Sequence, residues 1–392
     1  MSVTAPAGFH AAGVACGIKP GGAPDLALVA TADRRPVTAA GVFTTNLATA
    51  APVQVSREHL RDGKAAAVIL NSGNANAATG EQGRRNARRM CELTARELGC
   101  EPEDVLVGST GLIGYPLPME TIEAGIPKLV ATLGADEAAG HAAADAILTT
   151  DTVRKEALET IEIGDGRVAQ VGGMAKGAAM LSPAMATMLA VLTTDLALDP
   201  EGAQAMLGRA VDGSFHRLSI DASRSTNDTV LVLANGTAHT DRPAAGASAL
   251  QNVCTTLSDL MANDAEGKTK VARIFVTGAR TQAEATLAAR AVANSQLVQC
   301  SLNGGDPYWG RVLSELGASG ARFDPERCTI KYHGIVVCRN GIAADHDAAA
   351  LAQVMQLPHI EIECDLGAGD SYTWVTTTDL SHAYIDENRG TS

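Results

Sequence analysis

The sequence predicts an α/β fold of layered sheets and helices, on three observations. Short apolar runs bounded by Gly and Pro turns alternate with longer segments of helical spacing, the pattern of stacked α/β layers. Hydrophobic residues make up 46% of the chain and aromatic ones only 3%, so the core is packed from Ala, Val, Leu and Met. Thirty-nine glycines among 392 residues allow tight turns and close backbone approach. The length suffices for two domains or one large fused body.

Taken in order, Leu26 to Ala30 and Gly41 to Asn46 read as strands. Ala65 to Leu70 is a third and runs into residues 71–80, NSGNANAATG, where three asparagines and two glycines mark a loop whose side-chain amides bond the backbone. Glu81 to Leu98 has helical spacing. Val105 to Gly114 is a strand ending in Ser109-Thr110-Gly111, which can present a hydroxyl and a backbone N–H, the equipment of an oxyanion hole. Ser-Thr-Gly is also a common turn. Ala142 to Thr152 reads as a helix with a polar tip, and Glu156 to Val171 as a hairpin turning at residues 164–166.

Residues 171–195, VGGMAKGAAMLSPAMATMLAVLTTD, organise the chain. Thr187 stands between Ala186 and Met188 in an otherwise small, apolar segment. An apolar run of this kind is a buried strand or a buried helix, in which Thr187 would be a core threonine bonded to a nearby carbonyl. Beyond it, Ala190 to Asp195 is a strand, Pro200 to Val211 a helix, and Ser219 to Val232 a polar loop returning to a strand. Leu250 to Ala262 is a helix that delivers the loop 263–270, with Glu266 as its candidate carboxylate, before the strand Val271 to Gly278. Thr281 to Asn294 is an Ala-rich helix, and Asn303 to Arg311 a compact turn in which Trp309 packs and Arg311 anchors. Arg322 to Asn340 reads as strands, Asp345 to Met355 as a helix, and Ile360 to Leu366 with Ser371 to Thr378 as a closing hairpin.

The formal net charge is −13 with no basic tract, which argues against nucleic acid or an anionic membrane as partner. Cys16, Cys91, Cys100, Cys254, Cys300, Cys328, Cys338 and Cys364 form no CxxC pair and no cluster at metal-ligand spacing, so they read as reduced thiols and no metal is expected. The first residues show no charged stretch followed by an apolar run, and no stretch of about 18 apolar residues occurs. A cytoplasmic small-molecule enzyme is the expectation. No Walker or Rossmann glycine loop is present, consistent with no nucleotide cofactor.

Lys176-Gly177, followed eleven residues after the lysine by Thr187 within PAMATML, resembles the self-cleavage segment of the ornithine acetyltransferase (glutamate N-acetyltransferase) family. The NSGNANAATG loop, the Ser-Thr-Gly strand end and the Asp306-Pro307-Tyr308-Trp309-Gly310-Arg311 turn extend the resemblance over essentially the whole chain. It implies the self-cleaving, DmpA-like α/β fold, with residues 1–186 and 187–392 becoming two co-folded chains. The cut falls between Ala186 and Thr187. Thr187 then becomes N-terminal, and its own α-amine, with a reference pKa of about 7.7–8.0, can take the proton from its hydroxyl.

By the same resemblance Thr110 and Gly111 form the oxyanion hole. Thr150 (or its neighbour Thr152), Lys176, Thr187, Glu266, Asn388 and a terminal hydroxyl, Thr391 or Ser392, contact substrate. The implied reaction moves an acetyl group from N2-acetylornithine to glutamate through an acetyl-threonine, releasing ornithine, without a cofactor and in an α2β2 assembly. A hydrolase of the same fold, either aminopeptidase or amidase, and a paralogue that does not cut itself are the alternatives. The chain departs from the family at Ala184, Ser223-Arg224, Ala265 and Tyr308, which implies a divergent paralogue.

Overall fold

The computed structural model describes residues 2–180, 188–240 and 242–389. Its contacts group into two compact units, Met1–His216 with Arg224–Met261, and Arg217–Ser223 with Ala262–Ser392. The first unit begins with β1 (Phe9–Val14), β2 (Leu26–Thr31), β3 (Val37–Phe43), α1 (Ala51–His59), β4 (Lys64–Ala65) and β5 (Ala67–Asn74). It continues through α2 (Gly80–Leu98), β6 (Val105–Leu112), α3 (Met119–Ala131), α4 (Glu137–Ala146), β7 (Lys155–Gly164) and β8 (Arg167–Lys176). Then come β9 (Leu189–Thr194), α5 (Pro200–Asp212), β10 (Thr229–Ala234) and most of α6 (Pro243–Asn263).

Two sheets form from these strands, in the orders β1-β2-β5-β6 and β4-β3-β10-β9-β8-β7. Their inner faces share one core, to which Val29, Val68, Leu70 and Leu106 contribute from the first sheet and Leu189, Val191, Leu231 and Leu233 from the second. Strand β2 shows why both of its faces are apolar. Ala27 and Val29 point into the space between the sheets, while Leu26, Leu28 and Ala30 face a second core built with α1, α2 and α3, as the two-residue period of a strand requires. Helix α2 meets that core through Ala87, Met90, Cys91 and Leu98 and ends at Gly99 in the left-handed region. Helix α5 starts on Pro200, and the Asp199 carboxylate accepts the Gly202 N–H.

Strands on either side of the expected cut lie side by side. β8 pairs antiparallel with β9 from Val171 opposite Thr194 to Lys176 opposite Leu189, and β9 pairs parallel with β10. Residues on both sides of the expected cut are therefore strands of one sheet.

The second unit runs β11 (Val271–Ala279), α7 (Gln282–Ala293), α8 (Gln296–Asn303), α9 (Trp309–Ala318), β12 (Thr329–Tyr332) and β13 (Ile335–Arg339). It closes with β14 (Ile342–Ala343), α10 (Ala348–Val354), β15 (His359–Asp365), β16 (Ser371–Thr378) and α11 (His382–Glu387). The sheet order is β14-β13-β12-β15-β11-β16. Trp309 packs against the core of this unit, and Arg311 donates to the Leu297 carbonyl at 2.8 Å, as the turn predicted.

The sequence expectations need correcting in three places. β15 and β16 are not a hairpin: β11 lies between them, parallel to β15 and antiparallel to β16. The connection crosses the end of β11, where Leu366 N–H reaches the Thr277 carbonyl and Ala368 N–H that of Gly278. The third strand does not stop at Leu70 but runs on to Asn74, because Asn71 to Asn74 continue the parallel ladder with β6. The helix placed over residues 142–152 spans Glu137–Ala146 instead and is capped by the Asp136 carboxylate.

β1 and α4 approach so closely that Gly13 has no room for a side chain, since an added Cβ would sit 1.9 Å from the Ala142 carbonyl oxygen. Gly13→Ala therefore forces the helix outward at a cost of about 1–3 kcal/mol or more. A lowered thermal midpoint is the expected result, and an unchanged one would show that α4 does not pack here.

Candidate active site

Strand β6 carries Thr110 and Gly111 to the end of the first sheet, where Gly111 lies opposite Gly73 of β5. Gly111 has φ +131°, and a Cβ there would meet the Gly73 carbonyl carbon at 2.3 Å. Only glycine fits. Thr110 is 1% exposed, and its hydroxyl has no hydrogen-bond partner among the described residues. A buried hydroxyl in that state costs stability unless something arrives to use it.

The neighbouring loop is held by its own amides, as its composition predicts. Asn71 Nδ2 donates to the Asn74 carbonyl at 2.9 Å, Asn74 Nδ2 to that of Pro116 at 3.1 Å, and Asn76 Nδ2 to that of Gly83 at 3.0 Å. Ser109 Oγ donates to Asn71 Oδ1 at 2.6 Å.

Lys176 ends β8 and is 2% exposed. Its ammonium donates to Thr149 Oγ1 at 2.7 Å and lies 3.5 Å from Asp151 Oδ2. Asp151 Oδ1 also accepts from Lys155 Nζ at 2.7 Å and from the Gly177 N–H at 2.7 Å. Burial alone would push the Asp151 carboxyl up, but Lys176 and Lys155 beside it hold it well below the usual carboxylate range. Two buried ammonium groups thus share one carboxylate. The hydroxyl on Lys176 is that of Thr149 and not of Thr150; all three threonines, Thr149, Thr150 and Thr152, are exposed.

Lys19 borders the same region, for its Cγ would lie 3.1 Å from a Cβ added at Gly73. Burial pulls its ammonium below the ordinary lysine value, against the pull of Asp25. Asp25 gathers the N–H groups of Cys16, Gly17, Ile18 and Lys19 within 2.6 to 3.0 Å, which fixes the turn that carries Lys19.

The loop before β10 joins these parts. Asn227 Nδ2 donates to the Ala75 carbonyl at 2.6 Å and to the Ser109 carbonyl at 2.9 Å, and Asp228 Oδ1 accepts the Met188 N–H at 2.9 Å. One dipeptide therefore ties the asparagine loop, the residue before Thr110 and the residue after Thr187. Asp228 is fully buried. Burial pushes its carboxyl well above the usual carboxylate range, although the Met188 N–H, the nearby Ser225 hydroxyl and the Lys176 charge all pull it down.

In the second unit Glu266 and Asn388 come together. Asn388 Nδ2 donates to Glu266 Oε2 at 2.7 Å and to the Tyr384 carbonyl at 2.9 Å, and Glu266 is buried. Ala186, Thr187, Thr391 and Ser392 lie outside the described residues.

Sequence reasoning did not single out Thr149, Asp151, Lys155, Asn227 or Asp228. Asp228 closes a polar loop directly before β10, where an aspartate ordinarily reads as solvated. Among the described residues, no group of His, Cys, Asp or Glu could hold a metal ion, and no helix is long and apolar enough to cross a membrane.

The profile of the ArgJ family matches residues 10–390. The arginine biosynthesis bifunctional protein ArgJ of Symbiobacterium thermophilum is 45% identical over 393 residues, covering 98% of this chain and 97% of that protein. Its namesake from Mycobacterium tuberculosis strain H37Rv is 45% identical over 396 residues, covering 99% and 96%. A crystal structure of ornithine acetyltransferase complexed with ornithine, also from Mycobacterium tuberculosis, is 45% identical with a TM-score of 0.42, covering 46% of this chain and 94% of that one.

The charge cluster makes a stability prediction. Removing Asp151 leaves Lys155 and Lys176 buried without their shared anion, so Asp151→Asn should cost about 3–5 kcal/mol near neutral pH. Because the folded carboxyl titrates below its unfolded value near 3.8, its contribution is complete above that value and is lost as pH falls through the lower folded one. Denaturation of wild type and variant should give a gap that is constant above about pH 5 and shrinks below about pH 4. A gap that widens on acidification would contradict the assignment.

Proposed function

This chain belongs to the ArgJ family, and we propose on that premise that it is a self-cleaving acyltransferase of arginine biosynthesis. It cuts itself between Ala186 and Thr187 and then moves an acetyl group from N2-acetylornithine to glutamate. The observation that carries this reading is the double tether of Asn227 and Asp228, which binds the Thr110 strand and the flank of Thr187 to one loop.

The Thr187 hydroxyl, deprotonated by its own α-amine, attacks the acetyl carbonyl. Thr110, whose buried hydroxyl is otherwise unused among the described residues, and the Gly111 N–H stabilise the oxyanion. Ornithine leaves, and the glutamate amine takes the acetyl group from the threonine ester. Asp151, Lys155 and Lys176 sum to one positive charge in a buried place, which suits the α-carboxylate that donor and acceptor share. Thr150, Glu266, Asn388 and Ser392 contact substrate in this reading. The Asn388 amide orients the Glu266 carboxylate. The cut chains stay together because β8 and β9 are paired across the junction, and they assemble as α2β2 in the cytoplasm.

Steady-state assays of acetyl transfer to glutamate, with free acetate measured in parallel, test this reading. Thr187→Ala should abolish transfer and Thr187→Ser should retain part of it. Thr110→Ala should lower turnover by about 10²- to 10³-fold, and Lys176→Ala should act mainly by raising KM. Release of free acetate in place of acetylglutamate would contradict the proposal and favour a hydrolase.

A further inference from the structure

The proposed cycle assigns the excess positive charge of Lys155 and Lys176 over Asp151 to the α-carboxylate that donor and acceptor share. A third lysine stands beside that cluster. Lys19 is half-buried, and its stem lies over Gly73, where an added Cβ would meet its Cγ at 3.1 Å. Gly73 pairs with Gly111 across the ladder of β5 and β6, and paired strands run about 4.8 Å apart. Lys19 therefore borders the sheet end that carries Thr110 and Gly111. Besides its burial, the ammonium feels the charges of Asp25, Lys176 and Asp151. Asp25 does not take it up. Both oxygens of that carboxylate are engaged by the backbone N–H groups of Cys16, Gly17, Ile18 and Lys19, and Lys19 Nζ donates instead to the Pro24 carbonyl at 2.6 Å. An ammonium has three donors, and the other two on Lys19 have no hydrogen-bond partner among the described residues.

We propose that Lys19 is a substrate-binding residue that selects the acceptor, pairing with the second carboxylate of glutamate, the one at the end of its side chain. This rests on the reading of the chain as an acetyltransferase to glutamate. Donor and acceptor both present an α-carboxylate, so one cluster can serve both. Their far ends differ in sign: N2-acetylornithine carries an ammonium there and glutamate a carboxylate. A cation with unused donors, fixed by the Asp25 turn next to the shared anion site, attracts the end of the acceptor and repels that of the donor. Selection of the second substrate thus follows from one charge that the first has no use for.

The test measures kcat/KM for N2-acetylornithine, glutamate and glutamine in wild type, Lys19→Met, Lys19→Gln and Lys19→Arg, with the thermal midpoint of each. Glutamine is the acceptor with its distal charge removed. Lys19→Met keeps a stem over Gly73 and loses the ammonium. It should lower kcat/KM for glutamate about 10- to 100-fold, the loss of one charge-assisted contact, and lower the values for glutamine and N2-acetylornithine by much less. The preference of the wild type for glutamate over glutamine should collapse in Lys19→Met and Lys19→Gln and persist in Lys19→Arg. An equal loss toward all three substrates, an unchanged preference for glutamate, or failure of both Lys19→Met and Lys19→Gln to fold would overturn the proposal. Wild type that releases acetate in place of acetylglutamate would instead overturn the transferase reading. Calorimetric titration with glutamate and glutamine then decides on Lys19 separately: glutamate binding that weakens in Lys19→Met and is kept in Lys19→Arg supports the assignment, and binding that does not weaken overturns it.

Discussion

The hydrogen bonds of Asn227 and Asp228 are the constraint on which the rest of the site depends. Three segments that are far apart in sequence, the loop after β5, the end of β6 and the start of β9, converge on this one dipeptide. Of the backbone groups it satisfies, the Ala75 carbonyl and the Met188 N–H lie just beyond strand ends and the Ser109 carbonyl lies within β6. A buried backbone group left unpaired there would cost about 1–3 kcal/mol. Stability and alignment thus come from the same contacts. The arrangement that keeps the fold intact also sets Thr110 and the flank of Thr187 on one support.

Around that support the electrostatics are divided. Asp151 is held charged by two lysines, whereas Asp228, although it feels Lys176, is pushed toward its neutral form by burial. Two carboxyls of one region are thereby separated in proton affinity, burial acting on both and direct ammonium contacts, among the described residues, only on Asp151. The charged one holds two buried ammonium groups together.

Much of this was legible in the sequence. The strands 26–30 and 105–114, the latter ending at Leu112, the helix 81–98 and the hairpin around Gly164 rest on local periodicity and turn chemistry, which the tertiary structure did not override. Thr110 and Gly111 drew attention through the family resemblance, since a strand ending in Ser-Thr-Gly is by itself a common turn. What was missed depends on long-range placement. Ile360 to Leu366 and Ser371 to Thr378 are close in sequence and separated by a loop, so a hairpin was the local solution, but β11 from about ninety residues earlier lies between them. The charged residues failed for the same reason. A lysine or aspartate in a polar segment reads as solvated, and only packing brings Lys155, together with the already singled-out Lys176, onto Asp151 with all three side chains at most 2% exposed. Asp228 was hidden inside a polar loop whose last residue turns inward with the strand it precedes.

The claim that binds fold to function is that Thr187 becomes the first residue of a second chain and then carries the acetyl group. Purified protein exposed to N2-acetylornithine, quenched in acid and analysed by peptide mass spectrometry reads both at once. The account predicts a C-terminal chain that begins at Thr187 and bears one acetyl group as an ester on that residue. A chain left whole, a second chain beginning elsewhere, or acetyl bound to another side chain would contradict it.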